Sequence, residues 1–103
     1  MEQEITVIVV RATGIPWYRR EDWDALKRIL EDSDKLHDSF DDWRKAAGGL
    51  ENHLRSQGHV VERAYIDPDT FPDWCRSRGL NVDAHARTEF ANSVAFAKHG
   101  KTN

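Results

Sequence analysis

The stretch Ile5-Thr6-Val7-Ile8-Val9-Val10-Arg11-Ala12-Thr13-Gly14-Ile15-Pro16 decides the fold, because the end of its strand sets the direction of everything that follows. Ile5, Val7 and Val9 fall on one face of an extended chain, and Ile8 and Val10 on the other. The run Ile5 to Arg11 therefore predicts a strand that is apolar on both sides. Strands of that kind are usually covered on both faces. The next residues, Thr13-Gly14-Ile15-Pro16, read as a breaker cluster that terminates it, since glycine weakens a ladder and proline lacks the amide donor.

One other stretch, His59 to Ile66 (HVVERAYI), reads as strand, and it stops at Asp67-Pro68-Asp69. Helical spacing fills the rest. Trp23, Leu26 and Leu30 share a face, which predicts a helix over about Arg20 to Glu31. Ser39 with Asp42 three positions on resembles a capping box. It opens a longer helix, about Phe40 to Gln57, that carries Phe40, Trp43, Ala47, Leu50 and Leu54 and ends at Gly58. Gly48-Gly49 lies inside it as a weak point. Thr70 with Asp73, and Pro72 in the first turn, start a short helix over Phe71, Trp74 and Cys75 that Gly79 stops. Asn81 or Asp83 caps the last helix, where Val82, Ala86, Phe90, Val94 and Ala97 recur at helical intervals.

The expected fold class is thus α+β: a mainly helical single domain over residues 1–99, in strand-helix-helix-strand-helix-helix order, with a minimal two-stranded sheet and a frayed tail at 100–103. The expected core comprises Val7, Val9, Trp23, Leu26, Leu30, Phe40, Trp43, Leu50, Leu54, Val61, Phe71, Trp74, Phe90 and Val94. If the first two helices form an antiparallel hairpin, the second strand comes down beside the first, so parity favours antiparallel strands. A break at Gly48-Gly49 would add a reversal and make them parallel. Only parallel strands bring the loops after both strands to one edge, where open α/β sheets bind ligands.

The 103 residues are enough for one core, and 39% hydrophobic with 32% charged residues is a globular composition. The apolar runs are far shorter than the roughly 20 residues a membrane-crossing helix needs. No basic leader with a cleavable apolar segment opens the chain, so a cytoplasmic location is expected. The single cysteine, Cys75, precludes an internal disulfide. A formal net charge of -3 supplies no global field for nucleic acid. The charge is uneven, with six acids against Lys35 between Glu31 and Asp42, and five bases against three acids between Arg11 and Arg28.

Arg11 together with Trp17, Tyr18, Arg19 and Arg20 forms the leading candidate ligand site. Guanidinium forks beside aromatic faces near a helix start suit a phosphate, a nucleotide or an acidic peptide. The competing reading packs Trp17 under the first helix and pairs the arginines with neighbouring acids. Asp67, Asp69 and Asp73 could hold a divalent cation but lack the glycine and distal glutamate of a calcium loop. His37, His53, His59, His85 and His99 stand outside any zinc-binding spacing, so no metal and no other cofactor is expected. Cys75 between Trp74 and Arg76 reads as a small core residue, without a base to make it a nucleophile. The last two helices allow a helix-turn-helix reading with Arg87, Glu89 and Asn92 outward, which is too little basic surface for phosphate.

Pro16-Trp17-Tyr18-Arg19-Arg20-Glu21-Asp22 and Ile66-Asp67-Pro68-Asp69-Thr70-Phe71-Pro72-Asp73-Trp74-Cys75 resemble a small uncharacterised bacterial protein family, over nearly the whole chain. The resemblance implies a bacterial cytosolic protein and brings no activity or site residue with it. With no nucleophile-base pair in view, the first functional expectation is a non-enzymatic interaction protein, with a protein partner or itself as a homodimer joined through a strand edge or the long helix. An anionic-ligand module at Arg11, Trp17, Tyr18, Arg19 and Arg20 comes second, and a weak DNA-binding protein or an enzyme third.

Overall fold

A computed structural model describes residues 11–99, in which four α-helices pack around a two-stranded sheet. Strand β1 is Arg11–Trp17, α1 is Trp23–Ile29, α2 is Phe40–Ser56, β2 is His59–Tyr65, α3 is Phe71–Ser77 and α4 is Ala84–His99. The α+β class and the element order are as expected. The strand expected at Ile5 to Arg11, the core positions Val7 and Val9, and the tail 100–103 lie outside the described residues, apart from Arg11 itself.

The segment read as a breaker is the strand. Two features make this possible. The Ile66 amide donates to the Trp17 carbonyl at 2.9 Å, so the backbone of Trp17, Ile15 and Thr13 faces β2 and that of Pro16 faces the outer edge. A proline is tolerated there because no ladder bond needs its amide. Gly14 meets α4 so closely that an added Cβ would lie 2.0 Å from the Ala91 carbonyl oxygen. Glycine therefore marks a helix-on-strand contact, not a turn.

The strands are parallel, in the register Arg11↔His59 through Trp17↔Tyr65, which corrects the antiparallel expectation. Parity failed because α1 is too short to count as a leg. Its seven residues span roughly 10 Å, whereas the seventeen of α2 span roughly 25 Å, about the length of a seven-residue strand. A single return element between two strands makes them parallel. Gly48-Gly49 does not break α2, which is continuous. Ser39 caps it as expected, its Oγ accepting from the Asp42 amide at 3.1 Å, and Gly58 follows it at φ +88°.

The sheet lies between α2 and α4. Ile15, Trp17, Val61 and Arg63 face α2, while Gly14, Glu62 and Ala64 face α4, where Ala86, Ala91 and Ala95 are buried. Trp17, Tyr18, Trp23, Trp43 and Phe40 form a connected aromatic cluster with ring centroids 4.7–6.1 Å apart. Phe71, Trp74 and Phe90 form a second between α3 and α4. Trp23, Leu26, Leu30, Trp43 and Phe71 are buried as expected, and Phe40, Leu54, Val61, Trp74 and Phe90 pack partly buried against them. Leu50 is not in the core: it is 48% exposed, because α2 buries the stripe Trp43, Ala47 and Glu51 one position away. On α4 the stripe is likewise rotated, so that Ala91 and Ala95 are buried, Val94 is half-buried and Ala97 is exposed. Asp83 caps α4, accepting from the Ala86 amide at 3.1 Å. Thr70 makes no side-chain cap to α3; the Asp67 carbonyl takes the Thr70 and Phe71 amides instead.

Two ion pairs tie distant segments together. Glu51, 3% exposed, receives Arg63 Nε at 2.7 Å and Nη2 at 2.9 Å, joining α2 to β2. Arg87, 7% exposed, donates to both oxygens of Asp32 at 2.9 and 3.1 Å, joining α4 to the loop after α1. Hydrogen bonds from the arginines hold both carboxyls below their ordinary pKa values. A depressed folded-state pKa contributes stability that is complete above the unfolded value and is lost as pH falls through the folded one. Stability should therefore be level above roughly pH 5 and decline below it. Glu51→Gln should cost about 1–2 kcal/mol at pH 7, since Arg63 is partly solvated, and the cost should shrink towards pH 3. Denaturant midpoints measured from pH 3 to 7 check this, and a pH-independent cost would contradict it.

Candidate functional site

Parallel strands bring the loops after β1 and β2 to the same end of the sheet, but the residues expected to bind an anion there separate into buried and paired groups. Trp17 and Tyr18 are 3% and 4% exposed. Trp17 lies edge-on to Trp43 and is covered by the Arg63 guanidinium at 4.0 Å, so neither ring face offers a stacking platform. Arg19 lies 4.4 Å over the Tyr65 ring with Asp22 at 3.9 Å. Arg20 lies over Phe40 and donates to Asp41 at 2.6 Å. Both guanidinium groups are exposed, each beside one carboxylate. Arg11 stands at the other end of β1, roughly 20 Å from Trp17 at the rise of an extended chain.

The acidic loop is a turn. The Asp67 carboxylate accepts from the Asp69 amide at 2.8 Å, and Asp73 pairs with Arg76 at 2.6 Å. Among the described residues no group of three or more histidine, cysteine, aspartate or glutamate side chains converges to hold a metal ion. The histidines are scattered: His59 Nδ1 is 2.7 Å from the Thr13 hydroxyl, His99 2.9 Å from Glu62 and His85 4.0 Å from Glu89. Cys75 is fully buried, and desolvation pushes its thiol pKa up, away from thiolate chemistry. The helix-turn-helix reading placed Arg87 on the outer face of α4. It points inward to Asp32 instead, so that face loses its nearest base.

Two features remain with capacity for recognition. The first is the outer edge of β2. The register makes Val60, Glu62, Ala64 and Ile66 face β1, so the backbone amides and carbonyls of His59, Val61, Arg63 and Tyr65 face away from it. Among the described residues no hydrogen bond reaches those outward groups. Val60 and Tyr65, each 39% exposed, stand near the two ends of this edge.

The second feature is a cleft of about 300 Å³ at the outer edge of β1, between α2 and the start of α4. Ile15, Pro16, Trp43, Ala47 and Leu50 supply apolar walls, and Tyr18, His37, Arg87 and Thr88 supply polar groups. Burial raises the Tyr18 pKa, while the adjacent Arg87 opposes that shift. The phenol is therefore neutral and a donor at physiological pH.

The sequence had pointed to Tyr18 as an exposed stacking ring and had missed Glu51 and Arg87 as buried charges. A signal existed for both. Glu51 follows Trp43 and Ala47 at intervals of four on the apolar face of α2, and Arg87 precedes Ala91 and Ala95 at the same interval on α4. A charged residue in register with a buried stripe needs a partner. Comparison of the chain with family models, with curated proteins and with solved structures finds no match.

Proposed function

We propose that this chain is a non-enzymatic self-associating module, a homodimer in which β2 pairs antiparallel with β2 of a second copy across a two-fold axis. The observation that carries this reading is the outward row of backbone groups on His59, Val61, Arg63 and Tyr65. A two-stranded sheet is marginal alone, and its bare edge is a template for another strand. Pairing like edges across a two-fold gives a closed, four-stranded sheet in the order β1-β2-β2-β1. The β1 edge is the poorer choice, because Pro16 presents no amide there. Charge is no obstacle on β2. Arg63 is neutralised by Glu51, and Glu62 lies 2.9 Å from His99 and 3.8 Å from Lys98 within the same chain.

Val61→Pro tests this reading, because the lost amide faces outward and the β1–β2 ladder keeps all of its bonds. Sedimentation equilibrium should return a dimer for the parent chain and a monomer for Val61→Pro, both with helical circular dichroism. Val60→Lys, at an exposed position, should weaken the dimer as well. A parent chain that stays monomeric at millimolar concentration would rule the proposal out.

A further inference from the structure

The flank of α2 that faces β2 carries more positive charge than its one carboxylate neutralises. Glu51 accepts from Arg63 Nε at 2.7 Å and Nη2 at 2.9 Å, and Arg55 Nη1 stands 3.4 Å from the same carboxylate. Arg44 lies on this flank as well. Its Nη1 is 2.8 Å from where a Cβ on Gly48 would be, and its guanidinium lies 4.9 Å over the Trp17 ring that Arg63 covers at 4.0 Å. Among the described residues no second carboxylate pairs with any of the three arginines. Three guanidinium groups around one carboxylate leave two positive charges unbalanced, on the exposed side chains of Arg44 and Arg55.

The next step rests on the β2–β2 homodimer proposed above. Only a two-fold axis at Glu62 pairs all four outward residues, setting His59 opposite the partner's Tyr65 and Val61 opposite the partner's Arg63. Arg63 and the partner's Arg63 are then diagonal neighbours on the α2 face, about 7–8 Å apart and within reach of long side chains. The two unbalanced flanks of α2 meet there. On the α4 face the same axis sets Glu62 against its counterpart, but each brings its own Lys98 at 3.8 Å and His99 at 2.9 Å. The α2 face has no such offset among the described residues. We infer that a doubly charged oxyanion of the phosphate type binds on the two-fold axis, held by Arg44 and Arg55 of both copies, and strengthens the dimer. Guanidinium forks suit the oxygens of such an ion, and its charge relieves the repulsion between the flanks.

Sedimentation equilibrium of the whole chain tests this, in sodium chloride alone and with low-millimolar inorganic phosphate at matched ionic strength. Phosphate should tighten the parent dimer roughly fivefold or more. Arg44→Gln combined with Arg55→Gln keeps the pair between Glu51 and Arg63. That variant should dimerise more tightly than the parent in chloride and gain nothing from phosphate. A parent dimer of equal strength in both buffers overturns the oxyanion site and leaves the homodimer standing. A gain that the double variant shares does the same, because it is then the general salting effect of phosphate on buried surface. Parent and double variant both monomeric in both buffers would overturn the homodimer, and the oxyanion site with it.

Discussion

Trp43→Ala should cost about 4 kcal/mol of folding stability, in the upper part of the range for aromatic core truncations. Trp43 is 7% exposed and touches four aromatic rings: Trp17 at 5.2 Å, Tyr18 at 4.7 Å, Trp23 at 6.1 Å and Phe40 at 5.3 Å. These rings come from β1, the loop after it, α1 and the first turn of α2. Removing the indole thus opens a cavity where four segments meet, and large rings cannot collapse into it. A chain of this size has a total stability of roughly 5–15 kcal/mol, so the variant should be close to unfolded at 37 °C. Urea unfolding followed by far-ultraviolet circular dichroism measures the difference. A loss below about 1.5 kcal/mol would mean that the aromatic cluster is not packed in solution as described.

Gly14→Ala should be nearly as damaging, at about 3 kcal/mol, although it adds a single methyl group. The new Cβ would lie 2.0 Å from the Ala91 carbonyl oxygen and 2.5 Å from its carbon. Both are backbone atoms, so no rotamer change relieves the clash, and α4 must move off β1. Gly49→Ala provides the contrast. Nothing lies within 4 Å of its would-be Cβ, and it sits inside a helix. That substitution should stabilise the chain by about 0.5–1 kcal/mol. Opposite signs for two glycine-to-alanine changes would be hard to obtain from any other placement of α4. Equal effects would contradict the contact between Gly14 and Ala91.

The same glycine shows where sequence reasoning succeeded and where it stopped. The long-period patterns were legible: Phe40, Trp43 and Ala47 with the Ser39 cap located α2, and the strand read over His59 to Ile66 located β2 to within one residue. These depend on local spacing. Strand β1 was not legible, because Gly14 and Pro16 are breakers by local propensity and are tolerated only through α4 on one side and an edge that pairs with no strand among the described residues on the other. Strand direction was likewise a tertiary property, set by α1 ending at Ile29 after seven residues. At the candidate site, Tyr18 was found and its role misread. Its neighbours Trp23 and Trp43 supply aromatic surface that buries its ring, and its place in the cleft wall with Arg87 depends on a residue nearly seventy positions away in the chain.

The open edge of β2 is the feature on which the functional reading depends, and its amides report on it directly. Amide hydrogen exchange of Val61 and Arg63, compared between dilute and concentrated protein, isolates that edge from the rest of the fold. Their N–H groups face away from β1, so in a monomer they exchange as solvent-exposed amides at every concentration. Both should slow by at least roughly tenfold as the dimer fills, while the amides of Ala64 and Ile66, already bonded to β1, change much less. Exchange at Val61 and Arg63 that stays fast and independent of concentration would contradict it.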